Sequence, residues 1–137
     1  MRAIFIEEAE AQQAILREYL SANTDQPSSP SYDVERALHT LAGGAKVTKS
    51  TAIAEIASPC EQLVGLMRSL NIASDEQLTA LNKAADYLDE LLSNAERSDY
   101  DATTKRQASV VESLVAAIQQ CSDTSSAVDS DLSLIHI

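Results

Sequence analysis

The stretch ALHTLAGGAKV, residues 37–47, decides how the fold is interpreted, because a helical pattern in it contains two adjacent glycines. A glycine in a helix interior costs about 1 kcal/mol relative to alanine, so the pair lowers helix stability by roughly 2 kcal/mol. Two explanations are open from the sequence. Either the glycines end the helix, or they leave the backbone uncovered beside His39, which lies one turn before them.

A helical wheel of this region separates a buried side from an exposed side. At roughly 100° per residue, one narrow apolar sector contains Val34, Leu38, Leu41 and Ala45. His39 lies roughly 130° from the centre of that sector, on the solvent side. Ala42 and Gly43 flank His39 one turn further on, and Lys46 shares its face two turns on.

This arrangement is suited to a nucleophile that another protein must reach. A neutral imidazole accepts a phosphoryl group, and a lysine ammonium steadies the added negative charge. We therefore take His39 as the candidate phosphoryl acceptor, Gly43 as docking clearance and Lys46 as the phosphate-steadying charge. The open alternative is an ordinary surface histidine beside glycines that end the helix.

The whole chain has the composition of an all-helical protein. Its 137 residues suffice for one domain with a sizeable core, and 45% of them are hydrophobic. Apolar periodicity predicts five helices, at about residues 2–20, 31–47, 51–70, 74–92 and 102–121. Pro59 should kink the third helix, and Ser74 with Gln77 should form a capping box at the start of the fourth.

Charge and hydropathy exclude several classes of partner. Net charge is −11, from 10 basic and 21 acidic residues, and such a surface repels nucleic acid and anionic lipid. No apolar run reaches the ~20 residues that span a bilayer, and the chain turns acidic too early for a signal peptide. Cys60 and Cys121 fall in helical apolar stripes and are expected to be buried free thiols. A cytoplasmic location is therefore expected, with no membrane insertion and no metal site.

The C-terminal segment is expected to be separate from the helical domain, which covers residues 1–121. Residues 122–137 begin with a polar stretch that cannot bury enough apolar surface to fold, so a disordered tail is predicted. The last six residues, LSLIHI, look like the translation of a transposon-end adapter used in sequencing libraries. The parent chain would then continue beyond them, and His136 would have no chemical role; the alternative is a natural hydrophobic tail.

The motif HTLAGGA, residues 39–45, resembles the motif of histidine-containing phosphotransfer (Hpt) domains, H-x-L-K-G-S-A. The stretches FIEEAEAQ, residues 5–12, and AIAEIASPCEQLV, residues 52–64, look like the flanking helices of such domains. The resemblance covers about residues 2–121 and is strongest to Hpt domains of large chemotaxis-type kinases that control type IV pilus twitching motility.

The resemblance implies an all-α fold, an antiparallel four-helix bundle with an additional N-terminal helix. It also implies that His39 exchanges a phosphoryl group with the aspartate of a response-regulator receiver domain, whose own site holds Mg²⁺. The chain itself has no Gly-rich nucleotide loop and needs no cofactor, so the donor is expected to be a histidine kinase catalytic domain in cis or in trans.

The motif departs from the family pattern at two positions. Ala42 stands where the family has lysine, and Gly44 where it has serine, so Lys46 or Lys49 would have to supply the phosphate-steadying charge. A further glycine that follows the motif in the family is also absent from the region of Lys49 and Ser50. Two alternatives therefore stay open: a degenerate Hpt module that binds a receiver without phosphotransfer, and a purely structural helical bundle.

Overall fold

The computed structural model describes the backbone of residues 4–95 and 104–135, and the side chains of residues 4–95 and 105–123. In these ranges the chain forms five α-helices and no strand. The helices are α1 (Ile4–Ala22), α2 (Tyr32–Val47), α3 (Thr51–Leu70), α4 (Asp75–Ser93) and α5 (Thr104–Ile135). The predicted all-α class is confirmed.

Four of the helices form a closed ring of neighbours. Helix α1 packs against α2, α2 against α3, α3 against α4, and α4 against α1, while α5 packs outside the ring on α3 and α4. The additional helix is therefore the C-terminal α5, in contrast to the predicted N-terminal one. Helix α1 belongs to the ring because Gln13 Nε2 donates to Ala85 O at 2.9 Å and Arg17 Nε donates to Asp89 at 2.9 Å.

The core forms from the apolar stripes of the five helices. The predicted sector of α2 is buried throughout, as is the predicted stripe of α4: Leu78, Leu81, Ala85, Leu88 and Leu92. The face of α1 differs from the prediction, since Phe5 and Tyr19 are only partly buried and the core takes Ile6 and Gln13 instead. The Gln13 amide nitrogen has two acceptors on α4, Ala85 O and Asp89 Oδ1, whereas its Oε1 is buried without a hydrogen-bond partner among the described residues.

The capping box at the start of α4 is confirmed. The backbone N–H of Gln77 donates to Ser74 Oγ at 3.2 Å, and the backbone N–H of Ser74 donates to Gln77 Oε1 at 2.8 Å. Both cysteines are buried free thiols, as predicted, and burial raises the pKa of Cys60 to about 12. Helix α3 continues through Pro59 without a break, and the kink stays a prediction.

The C-terminal segment differs from the sequence-based expectation. Helix α5 continues past Cys121 to Ile135, where an unfolded tail was expected from residue 122 onward. His136 lies outside the described residues. None of the helices in the described ranges is long and apolar enough to cross a bilayer.

The two glycines of α2 do not end the helix. Neither has a positive φ, and α2 runs on to Val47 before the chain turns at Lys49, whose φ is 59°. A Cβ built on Gly43 would meet no heavy atom within 4 Å, whereas a Cβ on Gly44 would lie 3.0 Å from the ring of Phe5. Gly44 therefore allows α1 to approach α2 closely, and Gly43 leaves an open surface.

This contrast predicts different effects of alanine at the two positions. Gly43→Ala should raise the free energy of unfolding by about 0.5–1 kcal/mol, because alanine is the better helix former. Gly44→Ala has the same advantage but must displace the Phe5 ring, so it should be less stable than Gly43→Ala by about 1 kcal/mol. The measurement is urea unfolding of both variants.

The Phe5→Ala background supplies the control for this pair. Without the ring, Gly44→Ala and Gly43→Ala should raise stability equally. Equal stabilities of the two variants in the presence of Phe5 would contradict the role given to Gly44.

Candidate functional site

Helix α2 presents His39 to solvent and α3 holds one side of its ring. The His39 side chain is 76% exposed, and its Nδ1 lies 2.8 Å from Oε2 of Glu61 on α3. An ionised carboxylate only accepts hydrogen bonds, so Nδ1 carries the ring proton and donates a hydrogen bond to Glu61. In the neutral ring this leaves the lone pair on Nε2. The pair therefore orients the imidazole and leaves Nε2 as the nitrogen with an available lone pair.

Sequence reasoning missed Glu61, which the structure brings to the candidate acceptor. Glu61 follows the buried Cys60, so it lies at the edge of the apolar stripe of α3, and its side chain is 30% exposed. Several polar residues of the chain lie at the edge of an apolar stripe, so this position alone does not identify Glu61 as the partner of His39. Only the register between α2 and α3 shows which of them meets His39.

A second polar link fixes that register one turn earlier on α2. Glu35 Oε1 accepts a hydrogen bond from Arg68 Nη1 at 2.9 Å, and the Arg68 guanidinium lies 5.2 Å from the centroid of the Tyr32 ring. A Cβ at Gly65 would lie 3.5 Å from the Glu35 carboxylate, an ordinary contact distance, so the pair does not depend on a glycine there. Two links between antiparallel helices restrain their sliding, and this holds Glu61 opposite His39.

The other predicted site residues lie along the exposed side of α2. Gly43 lies one turn after His39, and a Cβ added there would have no heavy atom within 4 Å. Lys46 lies two turns after His39 and is exposed. Among the residues that the structure describes, the ammonium groups of Lys46 and Lys49 form no ion pair or hydrogen bond. The structure thus brings His39 into contact with Glu61 but not with Lys46.

Positions 42 and 44, where the motif departs from the family pattern, have structural roles here. Ala42 is 1% exposed and belongs to the core, and Gly44 packs against Phe5. A lysine at position 42 would have to reach the surface from a buried site. Within residues 4–95 and 104–135, no group of three or more His, Cys, Asp or Glu side chains is placed to hold a metal ion.

Comparisons with known proteins identify the family. The Hpt domain family matches residues 1–121, so the chain belongs to the Hpt domains, which carry out histidine phosphotransfer in phosphorelays. A solved structure with the same fold is the phosphorylated P1 domain of CheA3 in complex with CheY6 from R. sphaeroides. It has a TM-score of 0.73 and 21% identity, and the match covers 86% of this chain and 94% of that one. The search of curated proteins found no significant match.

The contact between His39 and Glu61 predicts the tautomer of the neutral imidazole. At a pH high enough to keep the ring neutral, ¹⁵N NMR should find the proton on Nδ1, because that atom donates to the carboxylate. Glu61→Ala should remove this preference. Glu55→Ala, a control on the same helix, should leave it unchanged, and a wild-type ring protonated on Nε2 would refute the arrangement.

Proposed function

We propose that His39 accepts a phosphoryl group on Nε2 and exchanges it with the aspartate of a response-regulator receiver domain. The observation that carries the proposal is the 2.8 Å contact between Nδ1 and Glu61 on a ring that is 76% exposed. It combines an oriented nucleophile with access from outside. Membership of the Hpt family supports the reaction class, and the solved relative with CheY6 supports the kind of partner.

In the proposed reaction, the Nε2 lone pair attacks the phosphorus of the partner's aspartyl phosphate. The bond between phosphorus and the carboxylate oxygen breaks, and the electron pair leaves with the carboxylate. The ring then carries the phosphoryl group on Nε2 and the proton on Nδ1, so it bears a positive charge. The Glu61 carboxylate offsets that charge in the product and in the transition state that leads to it. Return transfer runs through the same steps in reverse.

Gly43 has the proposed role of docking clearance. A side chain at this position would stand one turn from His39 on the same side of α2, where the partner has to approach. The open space around Gly43 extends the accessible surface along the helix. Glycine at this position therefore lowers the stability of α2 but gives the partner access to His39.

Lys46 has the proposed role of phosphate-steadying charge. Helical side chains lean toward the N-terminus of their helix, so we expect the Lys46 side chain to extend toward Gly43, one turn before it, and toward His39, two turns before it. Lys49 lies beyond the last turn of α2 and is less well placed. The Mg²⁺ of the proposed reaction belongs to the receiver.

The missing family lysine favours a second candidate function. Because Ala42 is in the core and Gly44 contacts Phe5, neither position offers a polar group to the phosphate. A degenerate Hpt module would still dock a receiver but would not accept the phosphoryl group. The parent protein that we propose in either case is a chemotaxis-type kinase of type IV pilus control, with its catalytic domain as the donor.

The test of the proposed function is phosphotransfer from a panel of phosphorylated receivers. The wild-type chain should acquire acid-labile, base-stable phosphate, and His39→Gln should acquire none while its helical circular dichroism stays unchanged. Labelling that survives the substitution would refute the assignment of His39. Receiver binding without labelling of the wild type would favour the degenerate module.

Two variants of Gly43 separate clearance from fold stability. Gly43→Gln should fold, because φ at this position is negative, but its longer side chain should slow transfer several-fold by obstructing the receiver. Gly43→Ala is the matched control, with a smaller effect on transfer. The measurements are transfer rates and thermal melts of both proteins, and a Gly43→Gln variant with wild-type transfer would contradict the clearance role.

A further inference from the structure

A surface cleft of about 390 Å³ lies between α1 and α4, away from the candidate phosphotransfer site. In the ring of four helices, the contact of α1 with α4 is opposite the contact of α2 with α3, where His39 meets Glu61. Gln13 lines the cleft from α1, and Asp89 lines it from α4. The side chains of this cleft have no part in the reaction proposed for His39, so their arrangement needs a separate explanation.

Gln13 is the residue of the cleft that points to a ligand, because it is polar and only 4% exposed. Its Nε2 donates to Ala85 O at 2.9 Å and to Asp89 Oδ1 at 3.0 Å. Its Oε1 is buried and accepts no hydrogen bond from any described residue. The two bonds of Nε2 fix the orientation of the amide, so Oε1 is the atom that Gln13 offers to a ligand in the cleft. A buried acceptor of this kind costs stability until a donor reaches it.

The cleft has a negative charge and holds one cation that belongs to the chain. Arg17 Nε donates to Asp89 Oδ2 at 2.9 Å, and Arg17 Nη2 donates to both Asp89 and Asp86. These bonds hold the guanidinium beside the two aspartates, and it does not reach Gln13 Oε1. Glu10 lines the cleft two turns before Arg17 on α1. Three carboxylates in or beside the cleft thus outnumber one guanidinium, and the cleft attracts cations.

The acceptors near Gln13 match a primary ammonium group. Glu10 precedes Gln13 by one turn on α1, and Ser93 lines the cleft from α4. A carboxylate, an amide oxygen and a hydroxyl are three acceptors, and an ammonium has three N–H donors and no acceptor. Leu92 and Ala14 supply apolar walls for the carbon chain of such a group. Glu10 and Ser93 are exposed, so their side chains can rotate to let a donor reach Oε1.

A metal ion fits the cleft less well than an ammonium group. Calcium takes about six or more oxygen ligands, several of them carboxylates. Both oxygens of Asp89 already accept hydrogen bonds, from Gln13 and from Arg17. Within the ranges that the structure describes, no group of three or more His, Cys, Asp or Glu side chains is placed to hold a metal ion. The cleft therefore favours a cation that brings directional N–H donors.

We propose that the cleft between α1 and α4 binds a primary ammonium group on an alkyl chain, with Gln13 Oε1, Glu10 and Ser93 as its acceptors. A lysine side chain of a partner protein and a free diamine offer this same chemistry. The site is separate from phosphotransfer, because the cleft and His39 lie on opposite sides of the ring.

The experiment on the wild-type chain uses NMR and three probes. N-acetyl-lysine amide and putrescine carry primary ammonium groups, whereas the Nε-trimethyl form of the lysine amide keeps the charge but has no N–H on it. The first two should shift the side-chain ¹³Cδ resonance of Gln13, because Oε1 becomes an acceptor. The trimethyl probe should leave this resonance in place and bind about tenfold more weakly. Tighter binding of the lysine amide would identify a partner protein as the source, and tighter binding of putrescine a free diamine.

Matched variants locate the site on the surface. Glu10→Gln and Glu8→Gln make the same chemical change on α1, but Glu8 is an exposed residue roughly 200° away around the helix. The Kd of the lysine amide should rise about threefold in Glu10→Gln, as for the loss of an exposed ion pair, and stay unchanged in Glu8→Gln. Ser93→Ala should raise it by a similar factor.

Several results would overturn the inference. These are an unshifted Gln13 ¹³Cδ resonance at saturating lysine amide and putrescine, equal binding of the trimethyl probe, or equal losses in Glu8→Gln and Glu10→Gln. A Ca²⁺ titration that shifts the same resonance at a lower concentration than either amine would assign the cleft to a metal instead. None of these measurements depends on labelling of His39, so failure of this inference is distinct from failure of the proposed function.

Discussion

The hydrogen bond from His39 Nδ1 to Glu61 is the interaction on which the account of the site depends. It spans two helices, so it forms only when α2 and α3 pack in the correct register. The Glu35–Arg68 ion pair, one turn before His39 on α2, helps to fix that register. An exposed imidazole without such a partner rotates freely and presents either nitrogen. The packing of the bundle thus sets the chemistry of a surface residue.

The two adjacent glycines of α2 serve different purposes, although they share one sequence feature. Gly44 faces α1 and is required by the close approach of the Phe5 ring, so its role belongs to packing. Gly43 faces open space, and its role belongs to the proposed docking of a partner. The combined helix cost of about 2 kcal/mol therefore has one structural explanation, at Gly44, and one proposed functional explanation, at Gly43.

Local patterns predicted much of the fold. The bounds of α3, the buried sector of α2 and the capping box of Ser74 and Gln77 follow from apolar spacing and from residues close together in sequence. Interactions between distant segments could not be predicted this way. The core position of Gln13 depends on Ala85, 72 residues away, and the place of α5 outside the ring depends on which helices α1 contacts. Glu61 belongs to the same group, because its partner is set by register.

The most direct test of the central claim is to locate the phosphoryl group on the phosphorylated chain. With ¹⁵N-labelled histidine, the coupling between ³¹P and the ring nitrogens identifies the atom that carries phosphorus. The account predicts phosphorus on Nε2 of His39, with the ring proton on Nδ1 hydrogen-bonded to Glu61. Phosphorus on Nδ1, or on any residue other than His39, would contradict it.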